Sequence, residues 1–69
     1  MDRKLVSSST VASIGYDAKT LTLEIEFANG TLYQYFDVPE SLHAEFVNSA
    51  SHGQFFNTQI KGHYRYAKL

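Results

Sequence analysis

Cysteine is absent from this sequence, and long apolar runs and a large excess of charge are missing as well. Without cysteine the chain can form neither a disulfide framework nor a thiolate metal site. No apolar run approaches the roughly 20 residues that a bilayer-spanning helix needs, and residues 1–10 contain too few strongly apolar side chains for a signal peptide. We therefore expect a cytoplasmic protein with no membrane partner.

With a formal net charge of −1, the protein is not strongly basic, as a dedicated nucleic-acid-binding protein would be. The charges are nevertheless unevenly distributed. Residues 1–37 contain three cations and five acids, whereas residues 38–69 contain three cations and two acids. The C-terminal cations are Lys61, Arg65 and Lys68, which predict a small basic patch near the end of the chain.

A chain of 69 residues has room for one hydrophobic core. Hydrophobic residues make up 43% of it and include five Phe and five Tyr, whose rings bury large areas, so a folded domain is favoured over disorder. We expect a flexible N-terminus at residues 1–6 and a single domain at residues 7–69.

Apolar and polar residues alternate over positions 21–27, which is typical of a half-buried strand. Asn29-Gly30 follows, the pair that best tolerates the positive φ angles of a two-residue hairpin turn. Residues 31–36 are then the returning strand. An earlier strand at 11–16 ends in a turn at 17–20, where Asp17 can accept a hydrogen bond from its own backbone.

The hairpin register predicts which side chains share a face. A two-residue Asn29-Gly30 loop places Phe27 opposite Leu32 and Leu23 opposite Phe36. The predicted core face then carries Ala12, Ile14, Tyr16, Leu21, Leu23, Ile25, Phe27, Leu32 and Phe36. On this register Tyr33 and Tyr35 lie on the outer face of the sheet, beside Glu24 and Glu26.

Two helices are predicted after the strands. Pro39 and Glu40 are typical of a helix start, and Leu42 and Phe46 repeat at a helical spacing up to about residue 48. Ser51 and Gln54 form a capping-box pattern that opens a second helix ending near residue 62. Residues 63–69 alternate rings and charges, which indicates a short extended segment. The predicted fold is therefore α+β, a three-stranded antiparallel meander with two C-terminal helices packed on one face (β-β-β-α-α).

The ordered combination of several short motifs resembles the KTSC domain family over about residues 7–66. These motifs are the runs at 13–17 and 27–30, Tyr33-Gln34-Tyr35, Val38-Pro39, and Ser51-His52-Gly53-Gln54-Phe55-Phe56-Asn57 with Ile60 and Tyr64. The family occurs at the C-terminus of some lysyl-tRNA synthetases and as free-standing proteins of unestablished function. The resemblance implies RNA binding by association. The chain departs from the family in having neutral Gln54, Thr58 and Gln59 where basic residues are expected.

Aromatic and basic residues supply the first candidate site. Exposed Tyr33 and Tyr35 could stack unpaired bases, and the alternative is that they simply cover the sheet. Lys61, Arg65 and Lys68 interleave with rings as single-stranded nucleic acid prefers, and the alternative is a solvated tail.

Polar residues of the second helix are the other candidates. Free N–H groups near Ser51 and Gly53 could hold an anion, although the Ser51–Gln54 pair competes for the same donors. Asn57 is predicted either to bond to a loop or strand or to contact a ligand.

Neither a metal site nor an active site is predicted. His43, His52 and His63 are too far apart in sequence for close metal-ligand spacing, and no nucleophile lies beside a base. We expect no cofactor and no enzymatic activity. The first hypothesis is a small module that binds RNA weakly. The alternative is a protein-interaction module that pairs with a partner or with itself through the sheet face or a strand edge.

Overall fold

A five-stranded antiparallel sheet with two helices on one face forms the protein in the computed structural model, which describes residues 1–69. The strands follow one another in chain order across the sheet, each paired with the next. A π-helical segment continues the second helix. The elements are β1 (Arg3–Leu5), β2 (Val11–Asp17), β3 (Thr22–Phe27), β4 (Leu32–Tyr35), α1 (Glu40–Val47), α2 (His52–Phe55), the π segment (Phe56–Ile60) and β5 (Tyr66–Lys68).

The α+β class and the two helices are confirmed, but the prediction of three strands was wrong. The two further strands, β1 and β5, have three residues each and lie at the two edges of the sheet. β1 pairs with β2, and β5 pairs with β4. Strands this short exist because a neighbouring strand offers unpaired backbone groups. β5 lies within the extended segment predicted at residues 63–69, whereas the pattern of β1 is too brief to predict it.

The β2–β3 pairing places the expected residues on the core face. Ile14 lies opposite Ile25 and Tyr16 opposite Leu23, two residues away from the predicted register. A shift of two keeps every side chain on its face, since side chains alternate with a period of two. Leu21 is instead outside the strand, 41% exposed, with a positive φ of 54°, so its predicted core position was wrong.

A bulge in β2 changes which of its first residues is buried. The register shifts between Val11 and Ser13, which leaves Ala12 without a direct partner on β3. Val11 consequently lies opposite Phe27 and is completely buried, whereas Ala12, the predicted core residue, is only half-buried.

The β3–β4 register differs by one residue from the prediction. Leu23 pairs with Tyr35 and Ile25 with Tyr33, whereas the sequence predicted Leu23 opposite Phe36. A shift of one residue moves every side chain of the strand to the opposite face of the sheet.

Hydrogen bonds at the hairpin explain this shift. The Ala28 N–H donates to the Thr10 carbonyl at 2.8 Å, so it is not available to β4. The Phe27 N–H instead donates to the Thr31 carbonyl at 2.9 Å, which closes a three-residue loop in place of the predicted two-residue loop. Gly30 adopts a φ of +91°, as this loop type requires of its last residue.

The shift exchanges the two faces of β4. Tyr35 is 4% exposed and joins the hydrophobic core, and Tyr33 packs against that core. Leu32 and Phe36, both predicted in the core, are half-buried on the opposite side. The prediction that Tyr33 and Tyr35 form an outer stacking platform was therefore wrong.

Both helices cover the sheet face that carries these tyrosines, which we call the inner face. Val38, Phe46, Phe56 and Ile60 bury their side chains against the strands. The complete buried hydrophobic cluster is Val11, Ile14, Leu23, Ile25, Tyr35, Val38, Phe46, Phe56 and Ile60. The predicted helix start and the Ser51 cap are present, since Glu40 opens α1 and the Gln54 N–H donates to the Ser51 Oγ at 3.3 Å. The reciprocal bond of a capping box, from the Gln54 side chain to the Ser51 N–H, is not formed. None of the helices has the length and apolar character that crossing a membrane would require.

Candidate functional site

A cleft of about 330 Å³ opens on the inner face between the β3–β4 hairpin, β5 and the residues that follow the π segment. We call it the tyrosine cleft. Buried Tyr35 and Phe56 lie deepest in it, and the more exposed residues are closer to solvent. Its lining residues are Phe27, Asn29, Thr31, Tyr33, Tyr35, Phe56, Lys61, Gly62 and Tyr66.

Three tyrosines on adjacent strands form the aromatic wall of the cleft. Tyr35 lies opposite Tyr66 in the β4–β5 pairing, and their ring centroids are 5.7 Å apart. Tyr33 is 5.8 Å from Tyr66 and 6.2 Å from Tyr35. The three rings differ in exposure, because Tyr35 is 4% exposed and Tyr66 63% exposed. Tyr66 is therefore the ring with a free surface for a ligand.

Two phenylalanines, Phe27 and Phe56, pack against Tyr33 and Tyr35. The Phe56 ring packs edge-on against Tyr35 at 5.7 Å and against Phe27 at 5.0 Å, and Phe27 packs edge-on against Tyr33 at 5.6 Å. Edge-to-face contacts of this kind are favourable beyond the area they bury. The cleft is therefore preorganised by the core.

The hydroxyl of Tyr35 keeps its proton over the whole physiological range. Burial, helped by the neighbouring Tyr33 and Tyr66, raises the pKa of Tyr35 to about 12. Its hydroxyl makes no hydrogen bond within the protein and is not sealed from solvent. It can therefore donate a hydrogen bond to a molecule in the cleft.

The three C-terminal cations do not converge. Lys61 lines the cleft, and Lys68 lies opposite Tyr33 on the same face of the sheet. Arg65 points to the other face, where its guanidinium lies 5.6 Å from the ring centre of Phe36 and donates to Asp37 at 2.7 Å. Of the three cations, only Lys61 and Lys68 therefore lie on the face of the sheet that carries the tyrosine cleft.

The candidates in the second helix lie outside the cleft. The Ser51 hydroxyl caps α2, and a side chain at Gly53 would collide with Thr10, whose Oγ1 would be 2.9 Å from the added Cβ. Local structure therefore accounts for both residues, Ser51 as the cap of α2 and Gly53 as the close neighbour of Thr10. Asn57 is exposed and its side chain makes no hydrogen bond within the protein, so the bond to a loop or strand that we predicted for it is not formed.

Asn29 and Thr31 line the cleft, although neither was predicted as a site residue. The Asn29 Oδ1 accepts hydrogen bonds from the Thr31 N–H at 3.1 Å and from the Thr31 Oγ1 at 2.7 Å. The Asn-Gly pair indicated a turn, but only the fold shows that this turn lies beside Lys61 and Tyr66.

The outer face of the sheet, which no helix covers, has a different character. Glu24 accepts hydrogen bonds from Arg3 at 3.0 Å and from Gln34 at 2.9 Å, and Glu26 accepts one from Ser13 at 3.0 Å. Both carboxylates are therefore already partnered.

A second concavity lies between β1 and α1. There the rings of Tyr16 and His43 stack on each other at 4.6 Å, and the Tyr16 hydroxyl donates to the Val38 carbonyl. Burial lowers the pKa of His43. Since these rings already pair with each other, this groove offers a ligand no free aromatic surface comparable to Tyr66. No group of three or more His, Asp or Glu side chains is placed to hold a metal ion.

Comparison with known proteins finds relatives among lysine–tRNA ligases and among small proteins of similar length. A lysine–tRNA ligase from Nostoc punctiforme is 43% identical over 61 residues, which cover 88% of this chain and 11% of the ligase. The chain thus spans about a tenth of the length of the curated ligases it matches. An uncharacterized protein from Stutzerimonas stutzeri is 39% identical and is covered over 99% of its length.

A solved structure and a family model agree with these relatives. The crystal structure of a KTSC domain protein from Yersinia pestis superposes with a TM-score of 0.93 at 45% identity, covering 99% of this chain and 96% of the other. The KTSC domain model matches residues 7–64. The resemblance seen in the sequence is confirmed: this chain belongs to the KTSC domain family.

Proposed function

We propose that the protein is a non-enzymatic module that binds single-stranded RNA weakly through the tyrosine cleft. An unpaired base stacks on Tyr66, and adjacent phosphates contact Lys61 and Lys68. The observation that carries this proposal is the exposed Tyr66 ring in a preformed cleft that is also lined by Lys61.

The energetics suit weak binding. Stacking of one base on an aromatic side chain contributes about 1–3 kcal/mol. Two phosphate contacts predict a salt slope of about −1.4, taking about 0.7 per contact for single strands. Affinity should therefore be modest at physiological salt and should increase as salt is lowered.

The fold supports this proposal in a way the predicted register did not. On that register Glu24 and Glu26 were the direct partners of the tyrosines and would have repelled phosphates. The two carboxylates lie on the outer face, bonded to protein groups, while the tyrosines line the inner cleft. The ligases among the relatives are named for tRNA, so an RNA ligand also fits the context in which related domains occur.

An enzymatic role has no support in the chemistry of the cleft. Its titratable groups are Lys61 and three tyrosines, and Tyr35 is a weaker acid than a free tyrosine because its pKa is about 12. Neither a paired nucleophile and base nor a pair of carboxylates lies in it. Binding without chemistry is the function that these residues suit.

Titration of a fluorescently labelled single-stranded RNA of about ten nucleotides, at several salt concentrations, tests the proposal. Tyr66→Ala and Lys61→Gln should each weaken binding several-fold, and Lys61→Gln should also reduce the salt slope by about 0.7. Lys19→Gln is the matched control, because Lys19 is exposed in the β2–β3 turn at the opposite end of the sheet. Absence of binding at low salt, or an equal loss in the control, would refute the proposal.

A second candidate is self-association or partner binding through a sheet edge. β1 and β5 each have one unpaired side, and Leu5 on β1 is 83% exposed. Lys4 and Lys68 lie on these edges, and lysine disfavours edge-to-edge pairing, so we rank this candidate second. Sedimentation at high protein concentration tests self-association and a pull-down tests partner binding, since a strict monomer that captures no partner would exclude edge pairing.

A further inference from the structure

We infer that Asn29 is a site of spontaneous deamidation, and that the product, a carboxylate at the rim of the tyrosine cleft, weakens RNA binding. The modification itself is independent of any ligand. Its effect on binding rests on the proposed function. Neither the family nor the relatives indicate such a site.

The reacting groups are adjacent in the loop between β3 and β4. Asn29 and Gly30 are both exposed to water, and Gly30 has no side chain to shield its backbone nitrogen. The Thr31 N–H donates to the Asn29 Oδ1 at 3.1 Å, which closes an Asx turn. The ring closed by this bond contains the Asn29 Cγ and the Gly30 nitrogen, the two atoms that must join.

The reaction proceeds through a cyclic imide. The Gly30 nitrogen gives its proton to water and attacks the Asn29 Cγ, so that a bond forms between them. The bond from Cγ to Nδ2 then breaks, and the departing nitrogen takes up a proton and leaves as ammonia. Water opens the imide at either carbonyl, which yields aspartate or isoaspartate. The net change consumes one water and releases one ammonia.

Thr31 is placed to assist this reaction. Negative charge develops on the Asn29 Oδ1 during the attack, and both the Thr31 N–H at 3.1 Å and the Thr31 Oγ1 at 2.7 Å donate to that oxygen. These are the distances of oxyanion-hole donors. One bond opposes the reaction, since the Gly30 N–H donates to the Phe27 carbonyl at 2.9 Å. The loop must open that bond first, which makes the modification slower than in an unfolded chain.

The product changes the charge of the cleft. Asn29 lines the same cleft as Lys61, one of the two cations that contact phosphates in the proposed function. A carboxylate there offsets the charge of the Lys61 ammonium and repels the phosphates of an RNA ligand. Aspartate and isoaspartate both carry this charge, so both products weaken binding.

Mass spectrometry of the purified protein, incubated without RNA at mildly alkaline pH, tests the modification. Deamidation raises the mass by about 1 Da, and fragmentation locates it. Asn48 and Asn57 are controls within the chain, because both are exposed but precede Ser49 and Thr58, whose side chains crowd the attacking nitrogen. Asn29 should react about tenfold faster than either control. Equal rates at the three positions would overturn the modification site.

Thr31→Val tests the assistance by the hydroxyl. It preserves the size and branching of the side chain and retains the backbone N–H, and circular dichroism checks the fold. Deamidation of Asn29 should slow about tenfold, the loss expected for one hydrogen bond to a developing charge at an exposed site. An unchanged or higher rate would overturn the assistance by Thr31.

RNA titration of Asn29→Asp tests the effect on the cleft. This variant carries the aspartate product and preserves an Asp-Gly turn. It should weaken binding several-fold, whereas Asn57→Asp, which adds the same charge at an exposed position outside the cleft, should have a much smaller effect. Equal losses would overturn the effect on binding while the modification remained. Absence of RNA binding by the unmodified protein would overturn the proposed function, and mass spectrometry would still decide on the modification.

Discussion

The two faces of the sheet differ in how completely their polar groups are paired. On the outer face Glu24 and Glu26 are bonded to Arg3, Gln34 and Ser13. On the inner face the rim of the tyrosine cleft leaves donors and an aromatic ring without protein partners. The same strands build both faces, so the difference comes from which residues the register turns inward. The inner face is suited to binding because some of its polar groups have no hydrogen-bond partner in the protein. The polar groups of the outer face are bonded to each other and stabilise the sheet.

Truncating the inner face should have the largest effect. Tyr35→Ala should lower the free energy of unfolding by about 3–5 kcal/mol, as for other large buried aromatic residues, and could unfold a domain this small. Phe36→Ala is its matched control, because Phe36 is the next residue in the chain and lies half-buried on the other side. Chemical denaturation of both variants measures the difference. Equal losses would mean that the two faces are equally packed.

Ionisation of Tyr35 gives the next prediction. The pKa of Tyr35 is raised from 10.0 to about 12, mainly by burial. The stabilisation that comes from this shift is complete below pH 10 and is lost as the pH rises through about 12. Relative to Tyr35→Phe, the natural protein should therefore lose stability over this interval. Denaturation of both proteins at pH 9 to 12 measures this, and parallel curves would contradict the shift.

Filling the space above Gly15 should disturb the outer face. A Cβ added there would lie 2.8 Å from the Arg3 Cγ and 3.0 Å from the Asp2 carbonyl oxygen. Gly15→Ala should cost about 1–3 kcal/mol through overpacking. The double variant with Arg3→Ala should recover part of that loss, because the closest of these contacts is then absent. Purely additive losses in denaturation experiments would show that Arg3 does not cross Gly15 in solution.

Neutralising an outer-face carboxylate should have a smaller effect. The Glu24 side chain is 12% exposed and bonds to both Arg3 and Gln34. Glu24→Gln should therefore cost about 1 kcal/mol. Glu45→Gln on the exposed side of α1 is the control, since Glu45 has no ion-pair partner. Thermal denaturation compares them, and an effect no larger than that of the control would show that the bonds from Arg3 and Gln34 to Glu24 are not stabilising.

Breaking the Arg65–Asp37 pair should have the smallest effect. Its side chains are 75% and 72% exposed, and exposed ion pairs contribute little, so Arg65→Gln should cost less than about 0.5 kcal/mol. It should also change RNA affinity far less than Lys61→Gln. If Arg65→Gln weakened RNA binding as strongly, the ligand would extend to the other face of the sheet.

Sequence patterns predicted the central elements because those patterns report local chemistry. Alternation in β3, the Ser51–Gln54 cap and the apolar spacing of α1 each depend on residues close together in the chain. β1 was not predicted, and β5 was predicted only as part of an extended segment at residues 63–69, since three residues carry too little pattern to indicate a paired strand. Their stability comes from the edges of β2 and β4, which are distant in sequence.

The candidate site was predicted in part. Lys61, Lys68, Tyr33 and Tyr35 were singled out from composition and spacing, but the sequence placed Tyr33 and Tyr35 on the wrong face. Tyr66 was not predicted as a site residue. Asn29 was interpreted only as a turn residue. Whether its amide lines a cleft depends on β5 and the π segment, which no local pattern brings to the hairpin.

The sequence by itself determined the class of fold, the family, and the residues that form the strands and helices at its centre. Tertiary structure decided the face on which each β4 residue lies. The Ala28 N–H could have paired with β4, but it donates to the Thr10 carbonyl. The β3–β4 register accordingly differs by one residue from the predicted register. Since side chains alternate along a strand, this difference of one residue in register determines whether the tyrosines face the helices or the solvent.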